Sequence, residues 1–367
     1  MQIDSILSYL ESIAPPAYQE AYDNAGLITG SRDWECRGVL TTLDATEAVV
    51  EEAIARKCNL IVAHHPIVFG GLKKLNGKNY VERTVIAAIK HDIAIYAIHT
   101  NLDNMVAEGV NGRMAAKLGL INGRALLPKE DTLQKLVCFV PVDHLEAVRD
   151  AVFSAGAGNI GNYTEASYAS EGIGTFKAGK GAQPFAGAIG ERHREAEVRL
   201  EVIVPVVNSQ RVVRAMIGAH PYEEVAYDLV NLANSHPGIG SGLLGELPEA
   251  LGESAFLKKI QQVFEVPVIR HTRLTGGRVK KVALCGGAGS FLISKALSSG
   301  ANFYITSDVK YHEFFDANDR LVIADIGHFE SEQFTSDLLF EVLREKYLNF
   351  AVLKSDAKTN PVKYFIN

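Results

Sequence analysis

His64 and His65 stand side by side at the end of the run Asn59-Leu60-Ile61-Val62-Ala63, directly before Pro66. The run is apolar, unalternated and too short for a helix, which predicts a buried strand. Pro66 has no N–H to donate and pushes the residue before it into extended backbone, so the strand is expected to end there. Two imidazoles would then occupy the carboxyl end of a strand, where open α/β sheets place their ligands. Successive side chains of an extended chain point to opposite faces, so this pair suits two neighbouring metal ions better than one. A strand end with two solvated imidazoles is the competing reading.

A second pair lies far along the chain. His328 and Glu332 are four residues apart, and a helix beginning near His328 stacks them on one face, a two-ligand geometry for transition metals. The plainer alternative is a helix-start histidine and a first-turn glutamate favoured by the macrodipole. Glu330, offset by two, belongs to another face. Asp103 is the third element, at the end of His99-Thr100-Asn101-Leu102-Asp103, which follows an apolar run. Its alternative role is to cap a helix near Glu108, for which it lies too far upstream. Three histidines and two carboxylates from three strand ends form a mixed nitrogen and oxygen set suited to zinc, iron, manganese, nickel or cobalt. Two ions about 3.5–4 Å apart need a bridge, which a carboxylate can supply.

Other residues carry weaker signals. His99 after an apolar run reads as a core or supporting histidine rather than a ligand. Cys285-Gly286-Gly287-Ala288-Gly289-Ser290 is read either as a phosphate cradle built on backbone N–H groups or as a tight, closely packed turn, because the full G-x-G-x-x-G pattern is missing. Asp308 and His312, at i and i+4, are read as one helix face near the site or as a helix cap and a surface histidine. His220 with Glu223 and Glu224 reads as a turn and helix start ahead of a metal or anion site. Lys73-Lys74-Leu75-Asn76-Gly77-Lys78 is a short basic cluster near the histidines, of the kind that is usually just solvated.

The elements that must position these residues follow an α/β rhythm. An amphipathic helix carries Ile3, Ile6, Leu7, Leu10 and Ile13 on one face. A turn at Asp23-Asn24-Ala25-Gly26-Leu27 follows, then a strand from Gly38 to Leu43 ending in Asp44, and a helix capped by Thr46 that runs to about Lys57. After the His64-His65 strand comes a Gly- and Lys-rich loop, a helix from about Val81 to His91, and a strand from Ile93 to Ile98. The pattern changes near Pro128. Strands at Leu133 to Val140, Val198 to Pro205 and Val225 to Leu232 alternate with helices at His144 to Ala155 and Ser209 to Gly218, suggesting a ferredoxin-like module. Ser235 to Gly245, with four glycines and a proline in close order, reads as a linker. The rhythm then resumes with strands at Val279 to Leu284, Ala301 to Ile305 and Leu321 to Asp325, a long helix through Lys346, and a strand from about Phe350 to Leu353. The expected fold is therefore α/β: a two-lobed layered body with mostly parallel sheets, formed by residues 1–126 and 241–367 and interrupted by an insert at 127–240.

The totals agree with a soluble enzyme-sized chain. There are 367 residues, 47% hydrophobic and 22% charged, enough for two or three cores. A net charge of -6 argues against a phosphate grip on nucleic acid as the main function. Cys36, Cys58, Cys138 and Cys285 are scattered and read as buried thiols of a reducing compartment. No signal peptide or membrane span is expected, so a cytoplasmic protein is the default.

Asp23-Asn24-Ala25-Gly26-Leu27, Ala63-His64-His65-Pro66, His99-Thr100-Asn101-Leu102-Asp103, Ser307-Asp308-Val309-Lys310-Tyr311-His312 and Gly327-His328-Phe329-Glu330-Ser331-Glu332 occur in this order. Together they resemble the signature of the NIF-three-like family, also called the GTP cyclohydrolase I type 2 family, over nearly the whole chain. Ala25 stands where that family usually has valine, away from any ligand. The resemblance implies a dinuclear metal centre held by His64, His65, Asp103, His328 and Glu332, with Glu332 bridging two divalent ions. It also implies a homo-oligomer, a ring-shaped hexamer with its metal sites facing an internal cavity. Gly161-Asn162-Tyr163 and His220-Pro221-Tyr222-Glu223-Glu224 resemble the insert of longer bacterial members, similar to the CutA and PII folds. The implied function is a metal-dependent hydrolase acting on a nucleotide or phosphoester through metal-activated water, with opening of the guanine ring of GTP as the reaction the family name suggests. The alternative is a non-enzymatic metal-binding regulator or scaffold whose insert senses a ligand.

Overall fold

The computed structural model describes residues 1–365. In chain order its elements are α1 (Ile3–Ile13), β1 (Gly26–Thr29), β2 (Val39–Asp44), α2 (Glu47–Ala55), β3 (Leu60–His65), α3 (Tyr80–Lys90), β4 (Ala94–Ala97), α4 (Thr100–Asp103), α5 (Val110–Leu118) and β5 (Ile121–Pro128). Then come β6 (Leu133–Pro141), α6 (Leu145–Ser154), β7 (Ser167–Lys177), β8 (Arg192–Pro205), α7 (Ser209–Ala219) and β9 (Tyr227–Asn231). The chain continues with β10 (Gly240–Gly252), α8 (Glu253–Phe264), β11 (Arg270–His271), β12 (Arg278–Ala288), α9 (Ile293–Ser298), β13 (Phe303–Ser307), β14 (Val322–Asp325), α10 (His328–Glu332), α11 (Thr335–Lys346) and β15 (Val352–Lys354). Two compact units result, one made of residues 1–128 and 237–367, the other of 129–236. Among the described residues, no helix is long and apolar enough to cross a membrane.

The first unit holds two sheets. One has the order β1-β4-β3-β2-β15, parallel except at β1. Its strands are unalternated because both faces are covered. Leu60 and Val62 of β3 join Ile3, Ile6, Leu7 and Leu10 of α1 and Leu339 and Leu343 of α11 in one core. Ile61 and Ala63 turn the other way, to Val49, Val50 and Ala53 of α2 and Val85 and Ala88 of α3. The other sheet has the order β11-β14-β13-β12-β10-β5, with β12, β13 and β14 parallel and the flanking pairs antiparallel. Its β13 sends Phe303 and Ile305 to α8 residues Phe256 and Ile260, and Tyr304 to Leu292 and Ile293 on the opposite face. Each fully buried aliphatic or aromatic side chain stabilises these layers by about 1.5–3 kcal/mol.

The second unit is a four-stranded antiparallel sheet of order β7-β8-β6-β9, with α6 and α7 as its helices. Leu136, Cys138, Val140, Leu200, Val202 and Val204 face Val148, Val152, Val212 and Met216 of those helices.

Several expectations need correction. Ser235 to Gly245 is not a linker: β10 starts at Gly240 and pairs with both β5 and β12. Its glycines serve close approach, since a Cβ at Gly242 would stand 2.9 Å from the Leu284 carbonyl oxygen. The strand expected to stop at Leu284 continues to Ala288. No helix starts at His220, where α7 ends. Asp103 ends a one-turn helix rather than a loop. β5, β7 and α8 carried no expectation. All four cysteines are free and buried, as expected.

The carboxyl-terminal segment is tied down from α2. Glu52 accepts from Ser355 Oγ at 2.5 Å, Asp356 N at 3.0 Å, Ala357 N at 3.3 Å and Arg56 Nη1 at 2.6 Å. Burial alone would raise the Glu52 pKa, but these donors hold it below its ordinary 4.5. A depressed carboxyl pKa stabilises the fold above the unfolded value, and the contribution is lost as pH falls through the folded one. Glu52→Gln is therefore expected to be destabilising by about 1–2 kcal/mol at pH 7, with the difference from the parent closing in acid. Urea unfolding at neutral pH and below the ordinary glutamate pKa checks this; an equal deficit at both would remove the charge from the explanation.

Candidate metal centre

Each of the five expected ligands is delivered by a strand end of the first unit. His64 and His65 close β3, Asp103 closes α4 just after β4, and His328 and Glu332 begin and end α10 just after β14. The turn of α10 brings His328 Nε2 to 3.2 Å from Glu332 Oε2. His65 Nε2 lies 2.9 Å from the same oxygen and 3.3 Å from His328 Nε2. His64 Nε2 lies 3.8 Å from Glu332 Oε1 and 3.6 Å from Asp103 Oδ1. All five side chains thus meet around the buried Glu332 carboxylate.

The far nitrogen of each ring is fixed. His64 Nδ1 donates to the Ile98 carbonyl at 2.9 Å, His65 Nδ1 to Asp44 Oδ1 at 2.7 Å and His328 Nδ1 to Asp308 Oδ2 at 2.6 Å. Partners of this kind set the tautomer and orientation of ligand histidines and leave Nε2 facing the centre. His99, read from the sequence as a supporting histidine, follows the same rule, with Nδ1 2.8 Å from Asp23 Oδ1. His64, His65 and His99 form one group able to hold a metal ion, and His65, His328 and Glu332 form another. The alternation of β3 was expected to separate His64 from His65. They do diverge, but the rings stay 4.9 Å apart, close enough to serve adjacent positions.

Carboxylates and imidazoles shift one another strongly in this cluster. Burial alone would lower the His65 and His328 pKa values, yet the carboxylates of Asp44, Glu332 and Asp308 raise them to about 10 and about 9. Burial alone would raise the Glu332 pKa, and the surrounding imidazoles hold it well below the ordinary carboxylate range. For Asp103 burial prevails and its pKa is raised. His64 Nε2, Asp103 Oδ1 and Glu332 Oε2 are buried without a hydrogen-bond partner among the described residues. His65 Nε2 and His328 Nε2 stand 2.9 and 3.2 Å from Glu332 Oε2. Buried polar atoms are otherwise satisfied in folded proteins. Three such atoms aimed into one space, in a donor set of imidazole and carboxylate, fit a divalent cation.

The remaining sequence signals resolve as follows. In Cys285 to Ser290 two of the N–H groups a phosphate cradle would use are taken, which favours the closely packed turn: Gly286 N donates to Asn111 Oδ1 at 3.0 Å and Gly287 N to Ser331 Oγ at 2.9 Å. The glycines instead make room for Glu332, since a Cβ on Gly287 would stand 2.3 Å from Glu332 Oε1. Asp308 and His312 do not share a helix face. Asp308 sits in a left-handed turn at φ 54° and orients His328, while His312 is exposed. His220 stitches the second unit together, its ring meeting the Phe139 carbonyl and Tyr222 N. Glu330 accepts from Asn360 at 3.2 Å and lies off the cluster. Asp44 and Asp23 were not anticipated as partners of His65 and His99; only their strand-end and turn positions hinted at it.

Asp308→Ala is expected to weaken metal retention by about 10–100-fold. Folding stability should change little, because the Asp308 side chain is half exposed. Metal content after dialysis, beside a thermal melt, checks both halves.

His65, Asp103, His328 and Glu332 line a cleft of about 1110 Å³, ample for a small molecule. Tyr22, Phe69, Tyr80 and Phe291 form part of its exposed lining, and the segment from Thr359 to Tyr364 closes one side. None of Lys73, Lys74 and Lys78 lines it.

The Duf34/NIF3 (NGG1p interacting factor 3) description matches residues 1–361. A Halalkalibacterium halodurans protein named GTP cyclohydrolase 1 type 2 homolog is 39% identical over 365 residues, 98% of each chain. A Bacillus subtilis protein of the same name is 37% identical across 98% of this chain and 97% of its own. Among solved structures, a Bacillus cereus protein related to NIF3 matches with a TM-score of 0.89 and 38% identity, over 100% of this chain and 99% of that one. A Staphylococcus aureus protein matches over the same shares, with a TM-score of 0.78 and 27% identity.

Proposed function

We propose that this chain, which belongs to the Duf34/NIF3 family, is a hydrolase that holds two divalent metal ions on His64, His65, Asp103, His328 and Glu332 and cleaves a nucleotide or related phosphoester. The carrying observation is the convergence of three buried polar atoms without a hydrogen-bond partner among the described residues, from β3, α4 and α10, of which those of Asp103 and Glu332 belong to the lining of one cleft. Divalent ions there would supply Lewis acidity, polarising a phosphoryl or carbonyl oxygen and making water a competent nucleophile near neutral pH.

The residues of the chain do the rest. Asp44 and Asp308 hold the His65 and His328 rings in place, and the Ile98 carbonyl does the same for His64. Glu332, flanked by all three rings, would be held as a ligand of the ions together with them. His99 is the imidazole left over. Oriented by Asp23 and edge-on to His64 and His65, it is placed to carry a proton at Nε2 toward or away from a bound substrate. The name borne by the relatives, GTP cyclohydrolase 1 type 2 homolog, supports a guanine nucleotide as one substrate to test. The lining favours a compact anion over a polyphosphate chain: Arg270 is its fixed cation, already paired with Asp325 at 3.0 Å, and Glu20, Asp44, Asp308 and Glu330 add negative charge. A homo-oligomer belongs to the same proposal, supported by the exposed Tyr311, Phe315 and Leu348.

The second reading, a metal-binding regulator or scaffold, is favoured by a separate cavity inside residues 129–236. One experiment separates the two: elemental analysis of purified protein and turnover of GTP, GMP and p-nitrophenyl phosphate on the same sample. About two transition-metal ions per chain with turnover, both lost in His65→Ala, supports the hydrolase. Bound metal without turnover across the panel moves the weight to the regulator, and no metal after reconstitution overturns the centre itself.

A further inference from the structure

The cavity inside the second unit has a volume of about 660 Å³. It lies against the face of the β7-β8-β6-β9 sheet that the helices leave bare. The helix side takes Cys138, Val140, Val198 and Leu200, so the alternate residues Phe139, Glu197 and Arg199 face the cavity. Register sets Gly172 of the edge strand β7 opposite Glu197. A Cβ on Gly172 would meet nothing within 4 Å, and one on Gly174 would stand 2.0 Å from Glu197 Oε2. Two glycines weaken a strand unless something must approach it. Here the Glu197 carboxylate leans across Gly174, and Gly172 leaves the space beyond it open.

Glu197 is 9% exposed. Its Oε1 accepts from the Tyr222 hydroxyl at 2.7 Å, and no ion pair to it is found among the described residues. Arg199, the nearby cation, is half exposed and turned to Glu201 at 3.1 Å. A buried carboxylate without a counter-cation is unfavourable. Around it stand aromatic rings: Tyr222 packs on Phe176 at 6.1 Å and on Phe185 at 6.0 Å between centroids. Phe185 belongs to a covering segment held by the Gln183 N–H on Glu223 Oε1 at 2.8 Å. Aromatic faces attract cations through their quadrupole, most strongly where water is excluded.

We propose that this cavity binds a small organic cation, an alkylammonium whose charged head meets Glu197 and whose carbon substituents lie against Phe176, Phe185 and Tyr222. The site lies wholly within residues 129–236 and does not depend on the metal centre.

The test uses the full chain with choline and n-butylammonium as probes, and 3,3-dimethylbutan-1-ol as the neutral isostere of choline, followed by calorimetry and saturation-transfer NMR. At least one cation is expected to bind saturably at millimolar concentration, at least about tenfold tighter than the neutral alcohol. Glu197→Gln is expected to lose about tenfold or more in affinity. Gly172→Leu, which fills the open space from an edge strand, is expected to abolish binding, and it decides the matter if the Glu197 variant does not fold. Equal binding of the neutral isostere, unchanged affinity in both variants, or no binding of either cation overturns the proposal. Metal content should be the same in every variant, so these outcomes are read independently of the metal centre.

Discussion

Glu332→Gln protein is expected to retain divalent metal at least about 100-fold more weakly than the parent and to lose turnover on every substrate the parent accepts. The size of the effect follows from position. Glu332 is 3% exposed, and its two oxygens lie within 3.8 Å of the Nε2 atoms of His64, His65 and His328. Among the described residues no other carboxylate reaches all three rings: Asp103 lies near His64, while Asp44 and Asp308 meet the Nδ1 side of His65 and His328. An amide keeps the volume but removes the charge and presents an NH₂ donor toward the proposed ion positions. The fold should survive, because His65 and His328, raised to about 10 and about 9 partly by Glu332, can shed their protons once it is gone. Dialysis followed by elemental analysis reads the result, with the exposed Glu345→Gln as control. Metal retained at parental level would remove Glu332 from the centre.

Gly287→Ala is expected to empty the same site without replacing any of the five proposed ligands. Gly287 lies at φ +64°, and a Cβ there would stand 2.3 Å from Glu332 Oε1 and 3.5 Å from His328 Cε1. Two effects add: about 1 kcal/mol of left-handed backbone strain and about 1–3 kcal/mol of overpacking. Neighbouring backbone cannot yield easily, because Gly287 N is bonded to Ser331 Oγ, so the carboxylate is the group that moves. Gly276→Ala separates the two effects, since Gly276 lies at φ +82° with nothing within 4 Å of its Cβ position. Both variants should lose similar stability from strain, and only Gly287→Ala should lose metal. Chemical unfolding beside metal analysis decides this; metal loss in both, or in neither, would show that the contact with Glu332 is not the cause.

Much of the centre was legible because its signals are local. A buried parallel strand announces itself by an unalternated apolar run, so Leu60 to His65 and the stop at Pro66 could be placed from the chain alone. A spacing of four becomes one helix face as soon as a helix starts at His328. The amphipathic stripe of α1 and the Thr46 cap of α2 were equally readable. Glycine misled the reading where its reason was not local. Gly242 of β10, Gly287 of β12 and Gly174 of β7 stand in strands where a neighbouring carbonyl, the Glu332 carboxylate and the Glu197 carboxylate come close, and in one dimension such residues look like turns.

By itself, then, the sequence determined the residue types of the donor set, the strand ends that carry them and the α/β rhythm that puts strand ends in common. Tertiary structure decided the partnerships. Asp23 finds His99 across 76 positions, Asp44 finds His65 across 21 and Asp308 finds His328 across 20. The last two join the carboxyl ends of neighbouring parallel strands, while Asp23, in the turn before antiparallel β1, meets the residues that follow β4. Which ends become neighbours depends on strand order, and strand order is settled by how whole faces bury against α1, α2, α3, α8 and α11 rather than by any local stretch of chain.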